Sequence, residues 1–172
     1  MKILLPCKKY KEEYFKLVES AIKNNDVRKL GNAYRINETY DEFLKRVRNR
    51  RKGINISKKD VPSSTYFIIN DENSLVGTID LRHALNDNYF NRLGHIAYYI
   101  KPEERKKHYA TNALSLALKI YKRHNINKIL ITCLKDNIAS KKVIIANGGV
   151  IEKTIYDEIT NNYIERYWII IK

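Results

Sequence analysis

Between Ile96 and Leu114 the chain passes from an apolar stretch (Ile96, Ala97, Tyr98, Tyr99, Ile100) through Lys101-Pro102 into a basic loop. That loop reads Glu103, Glu104, Arg105, Lys106, Lys107, His108, and an amphipathic segment opens after it at Tyr109-Ala110-Thr111. A strand that empties through such a loop into a helix leaves first-turn N–H groups without internal partners, where the helix dipole favours negative charge. Small residues at Ala110 and Thr111 would let a pyrophosphate approach the backbone. The competing reading is an ordinary solvated strand-to-helix loop. Proton transfer has fewer candidates. His95 opens one strand and His83 ends another, and histidine titrates near neutral pH; a hydrogen-bonded structural role is the alternative for both. Asp80 lies between apolar Ile79 and Leu81, so its carboxylate either faces a cleft or pairs with a cation such as Arg82. No His/Cys/Asp/Glu cluster has zinc spacing, and no nucleophile elbow or Walker loop occurs.

The chain around these residues reads helical first and strand-rich afterwards. After Pro6, Tyr10, Tyr14, Phe15, Leu17, Val18, Ala21 and Ile22 recur at helical spacing as far as Asn24-Asn25. A second helix is expected from an N-cap at Asn37 to Gly53, with Phe43, Leu44 and Val47 on one side. Strands follow at 65–70 and 75–81 around a turn at Asp71 to Ser74, then at 94–100, ended by Pro102. Residues 109–123 form the best amphipathic helix, through Ala110, Ala113, Leu114, Ala117, Leu118 and Tyr121. The apolar run 128–134 reads as a strand covered on both faces. A short helix at 137–146 stops at Asn147-Gly148-Gly149, and strands at 150–156 and 163–171 close the chain. Two helices followed by β-β-β-α-β-α-β-β predict an α/β (α+β) domain with a mixed sheet.

A chain of 172 residues with 44% apolar content suits one domain with a sizeable core. The longest apolar runs are strand-length and the N-terminal one is too short for a secretory signal, so no membrane span is expected. Cys7 and Cys133 imply no disulfide framework, Cys133 reads as core, and the expected compartment is the cytoplasm. The net charge of +14 would attract nucleic acid if it were concentrated. It is spread along the chain, and its densest cluster, Lys45 to Lys59, reads as the wet face of a helix. A nucleic-acid partner is therefore not expected.

Arg105-Lys106-Lys107-His108-Tyr109-Ala110 resembles the pyrophosphate loop of the GNAT superfamily, usually Arg/Gln-x-x-Gly-x-Gly/Ala and commonly followed by Thr, as Thr111 is here. Thr132 to Ser140, followed by Ile144, Asn147, Gly148 and Gly149, resembles the second GNAT motif, in which Asn137 starts a helix and Ser140 sits in its first turn beside the pantetheine arm. Asp80-Leu81-Arg82-His83, Gly94-His95-Ile96 and Arg166-Tyr167-Trp168 are similar to phrases of a bacterial group of predicted acetyltransferases. The matches cover residues 62–171, and the ordered set is far more specific than the loop alone.

The resemblance implies a GNAT-like mixed, mostly antiparallel sheet of about six to seven strands flanked by helices and splayed to hold acetyl-CoA. It implies a single domain over 1–172, with 1–61 a helical acceptor-side region and 62–171 the cofactor-binding sheet core. Acetyl-CoA is the implied co-substrate, with no metal. Pantetheine would lie along Tyr98, Tyr99 and Ile100; Arg105, Lys106, Lys107, His108, Tyr109, Ala110 and Thr111 would hold the pyrophosphate; Asn137 and Ser140 would flank the arm. A primary amine, expected on a small metabolite, would attack the thioester directly, with His95, Asp80 and Tyr98 as the candidate catalytic residues. A homodimer is open, and neither nucleic acid nor membrane is implied. Two departures stand out: His108 replaces the loop glycine, and Ile144 stands where many relatives carry a tyrosine acid. They leave a non-catalytic acyl-CoA-binding or sensing domain as the alternative.

Overall fold

Side-chain alternation decides which core each strand residue serves. The computed structural model describes residues 1–172. In β2 (Ser63–Ile69), β3 (Leu75–Arg82) and β4 (Ile96–Ile100), Ile68, Val76, Ile79, Leu81, Ile96 and Ile100 join α3 (Tyr109–Arg123) and α4 (Ile138–Ala146) in one hydrophobic cluster. Phe67, Ile69, Leu75 and Tyr99 point the other way and join α1 (Lys11–Lys23) and α2 (Tyr40–Arg51) in a second cluster. There Tyr14 stacks on Phe43 and Phe43 on Phe67, at 4.6 and 6.1 Å between ring centroids. Helices therefore cover both faces of the sheet layer. No helix is long and apolar enough to cross a membrane.

The strands form two sheets, and every ladder is antiparallel. The first has the order β1-β2-β3-β4; the second places β7 (Asn162–Ile170) between β5 (Lys128–Leu134) and β6 (Val150–Asp157). Strand β1 (Lys2–Leu4) is an addition to the mainly helical N-terminal region that the sequence leads one to expect. Three residues are too few for a period to show.

The start of α2 is also corrected. Its N-cap is Thr39, in a reciprocal capping box with Glu42, while Asn37 lies upstream at φ +59. Left-handed turns in this glycine-poor chain fall mainly to asparagine: Asn25, Asn37, Asn55, Asn73, Asn125 and Asn161 all have positive φ. Trp168 is half-buried beneath the Lys128 ammonium, outside both core clusters. Cys133 lies in the core as expected. Arg166 is buried and bridges to Glu152 across the β6–β7 hairpin.

Candidate active site

Strands β4 and β5 belong to different sheets and meet at one stitch. Gly94, at φ +64, approaches β5 so closely that a Cβ would lie 2.6 Å from the Leu130 carbonyl oxygen. The His95 N–H donates to the Leu130 carbonyl (2.7 Å), and the Leu130 N–H donates back to His95 Nδ1 (3.0 Å). From α3, the Tyr121 hydroxyl donates to the carbonyls of Arg82 and His95. Beyond the stitch no backbone hydrogen bond joins Ile96–Ile100 to β5, so a gap opens between the sheets.

His95 is a member of this stitch, which corrects its assignment as a base. It is only 8% exposed, its ring sits edge-on to Tyr121, and Nδ1 is taken as an acceptor. Burial, helped by the Arg82 charge, lowers its pKa to about 4. His83 is similarly tied, through Nε2 to the Ser64 hydroxyl at 2.8 Å.

At the far end of the gap lies the loop. Its left-handed residues are Lys106 (φ +63) and His108 (φ +60), so the histidine takes the glycine-type conformation that the motif calls for. The N–H groups of residues 106–111 have no protein acceptor; the first helical bond of α3 runs from Asn112 to the His108 carbonyl. Six free amides thus converge at a helix N-terminus flanked by Lys106 and Lys107. The Arg105 side chain is committed elsewhere: its guanidinium pairs with Asp26 and donates to the Ile100 carbonyl. Arg105, expected among the residues at the cofactor, thus braces the loop against the N-terminal region.

The second motif closes on the gap from the other wall. Asn137 caps α4, accepting from the Ser140 N–H at 3.1 Å. Asn147 donates from its amide to the Thr111 carbonyl, tying α4 to α3. Tyr98 points from β4 toward Ser140; its hydroxyl is buried without a hydrogen-bond partner, and burial pushes its pKa up to about 12. Ile144 is wholly buried in the core and offers no hydroxyl. Tyr99 faces away, into the α1/α2 cluster, with the Arg105 guanidinium over its ring.

On that α1/α2 side a chamber of about 270 Å³ lies against β3 and β4, roofed by the turn Val27–Ala33 and walled by Tyr89 and Leu93. Asp80 forms its floor, directly opposite the exposed Ala97. Its carboxylate accepts from Asn32 (2.9 Å), Thr65 (2.9 Å) and Ser63 (3.2 Å), and makes no ion pair with Arg82. Carboxylate oxygens offer about four acceptor positions, so three donors leave one free. Asn32 and Ser63 carry no motif, and only the β2–β3 alternation could have placed Thr65 beside Asp80. A larger polar basin of about 460 Å³ lies over α2, away from the gap. Of its four cations, Arg46 and Arg50 are paired with Glu38 and Asp60, while Arg35 and Lys45 make no ion pair.

The family model described as "Acetyltransferase (GNAT) domain" matches residues 8–150. No curated protein matches the chain by sequence. Among solved structures, the microcin C7 self-immunity acetyltransferase MccE in complex with acetyl-CoA and AMP is similar at a TM-score of 0.72 and 19% identity, covering 98% of this chain and 91% of that one. The Salmonella typhimurium acetyltransferase that modifies the N-terminal serine of ribosomal protein L7/L12 aligns at a TM-score of 0.69 and 17% identity, over 99% and 94%. The L7/L12 acetyltransferase RimL in complex with coenzyme A aligns at 0.69 and 17%, over 98% and 93%. At such identities these likenesses establish the fold.

Proposed function

The chain belongs to the GNAT acetyltransferase family, and on that premise we propose that it moves the acetyl group of acetyl-CoA to the primary amine of a small metabolite. The observation that carries this reading is that β4 joins three features: it empties into the loop of six free amides, it parts from β5 across a gap, and its Ala97 faces a chamber with the Asp80 carboxylate at its floor. We assign residues 62–171 to the cofactor side and 1–61 mainly to the acceptor side, with the cytoplasm as compartment. Asn32 and the Val27–Ala33 turn, which roof the chamber, support the second assignment.

Acetyl-CoA supplies a thioester whose carbonyl carbon the amine attacks directly. The amides of residues 106–111 hold the pyrophosphate, with Lys106 adding charge beside a Lys107 that is paired with Glu104. The β4 backbone at Tyr98 to Ile100 and the first turn of α4 at Asn137 and Ser140 line the arm. The free acceptor position on Asp80 takes a hydrogen bond from the amine and draws it toward Ala97, one strand spacing of about 4.8 Å away. As the C–N bond forms and the C–S bond breaks, the nitrogen's proton leaves through the Asp80 carboxylate to water. The Tyr98 hydroxyl, protonated at neutral pH, donates to the departing sulfur and recovers its proton from water.

Thermal-shift titration with acetyl-CoA tests the cofactor half. A rise in melting temperature that grows with ligand concentration is expected, and it should vanish in Ala110→Glu, which places a carboxylate among the amides. No rise at millimolar acetyl-CoA would refute the loop assignment. Thiol release with a panel of primary amines tests the transfer half. Buried Ile144 favours a second reading, a non-catalytic acyl-CoA-binding domain; a melting rise with no thiol release from any amine would establish it.

A further inference from the structure

Arg82 is 7% exposed and lines the same chamber as Asp80, yet the mechanism leaves it unused. Both of its hydrogen bonds leave from Nη1, to the carbonyls of Leu93 (2.9 Å) and Gly94 (2.8 Å). Its Nε is buried with no partner, and Nη2 donates to nothing in the protein. The uncommitted edge, Nε with Nη2, is the edge on which a guanidinium accepts a carboxylate through two parallel hydrogen bonds. The Tyr89 ring lies against the guanidinium at 4.7 Å and fixes its plane.

Asp80 and Arg82 stand two residues apart on β3, hence on one face and about 7 Å apart along the strand. The two opposite charges do not pair with each other; each keeps one site open. Both side chains line the same chamber, so one compact ligand that carries an amine and a carboxylate can meet both.

We infer that the acceptor is a free α-amino acid: its amine sits at Asp80 and its carboxylate closes on the Nε/Nη2 edge of Arg82. The inference rests on the proposed acetyl transfer for where the amine must lie, but its binding consequence stands apart from turnover. An amine without a carboxylate leaves the guanidinium edge unsatisfied in a buried site. A peptide N-terminus presents an amide in place of the carboxylate and fails in the same way. The chamber's small volume, about 270 Å³, agrees with a compact ligand.

The test uses the full chain with coenzyme A bound and three matched panels: the common L-amino acids, their decarboxylated amines, and their carboxamides. Calorimetric binding to the coenzyme A complex and acetyl transfer from acetyl-CoA are both measured. At least one amino acid should bind and be acetylated roughly 10- to 100-fold better than its amine and its amide. In Arg82→Lys, which keeps the charge but loses the fork, that ratio should collapse. The wild-type comparison needs no variant, so misfolding of Arg82→Lys would not mask the answer. Equal use of the three panels, or no amino acid binding at all, would overturn the inference. Amino-acid binding that depends on the carboxylate, without transfer, would support it and overturn the acetyl-transfer reading instead.

Discussion

Lowering the pH from about 7 to about 5 should cost the protein about 2 kcal/mol of stability through His95 alone. The folded-state pKa of His95 is lowered from 6.5 to about 4, chiefly by burial. Between those two values the unfolded chain binds a proton that the folded chain refuses, so stability falls on acidification through that window. Below about pH 4 both states are protonated and the loss stops growing, at about 3 kcal/mol for the whole gap. His83 is shifted in the same direction and shares the window. The depressed carboxylates Asp60, Asp157 and Glu165 contribute lower, as pH falls below their ordinary values near 4. His95→Asn isolates the His95 contribution, because its amide oxygen can accept from Leu130 but does not titrate. Urea unfolding should show the wild-type midpoint falling by about 1 M more than the variant's over this range, for a slope of about 2 kcal/mol per M. Parallel profiles in the two proteins would show that folding does not suppress protonation of His95 and would free it for proton chemistry.

Two further outcomes follow from the gap. Gly94→Ala should destabilise the protein by about 3 kcal/mol or more in urea unfolding, since it forces a Cβ to 2.6 Å from a backbone oxygen at φ +64; a loss under about 1 kcal/mol would show that the stitch gives way easily. Tyr98→Phe should lower kcat by about 10- to 100-fold with little change in KM for acetyl-CoA. It should leave stability level or slightly higher, because it deletes a buried hydroxyl without a partner. An unaltered kcat would remove Tyr98 from the proton path.

What was legible in the sequence was local. Helix α3 and strand β5 occupy the expected residues end to end, because each is long enough for its period to show. The left-handed conformation at His108 could also be anticipated, since it belongs to one residue's backbone within a motif. The roles of side chains were set by partners far along the chain. Asp80 takes its donors from Asn32, Ser63 and Thr65, at separations of 48, 17 and 15 residues. Arg105 is held by Asp26, 79 residues away, and His95 by the Leu130 amide, 35 away. No residue type announces such partners, so a histidine that looks catalytic proves to be a rivet, and an arginine that looks like a phosphate ligand proves to be a brace.

The departure at Ile144 needs the same spatial reading. In sequence it is a missing hydroxyl on α4, and Ile144 is sealed in the core where no substitute could emerge. Across the gap, on β4, Tyr98 carries a buried hydroxyl without a partner, aimed at Ser140 in the first turn of that same helix. A buried donor left unpaired costs about 1–3 kcal/mol, a cost that a bound sulfur at the gap would relieve. In the proposed transfer, Tyr98 on β4 does from one wall of the gap what a tyrosine on α4 would do from the other. Restoring a tyrosine at 144 should then fail to rescue Tyr98→Phe, because a side chain there enters the core and not the gap. Recovery of kcat in the double variant would show that α4 still presents that position to the cofactor.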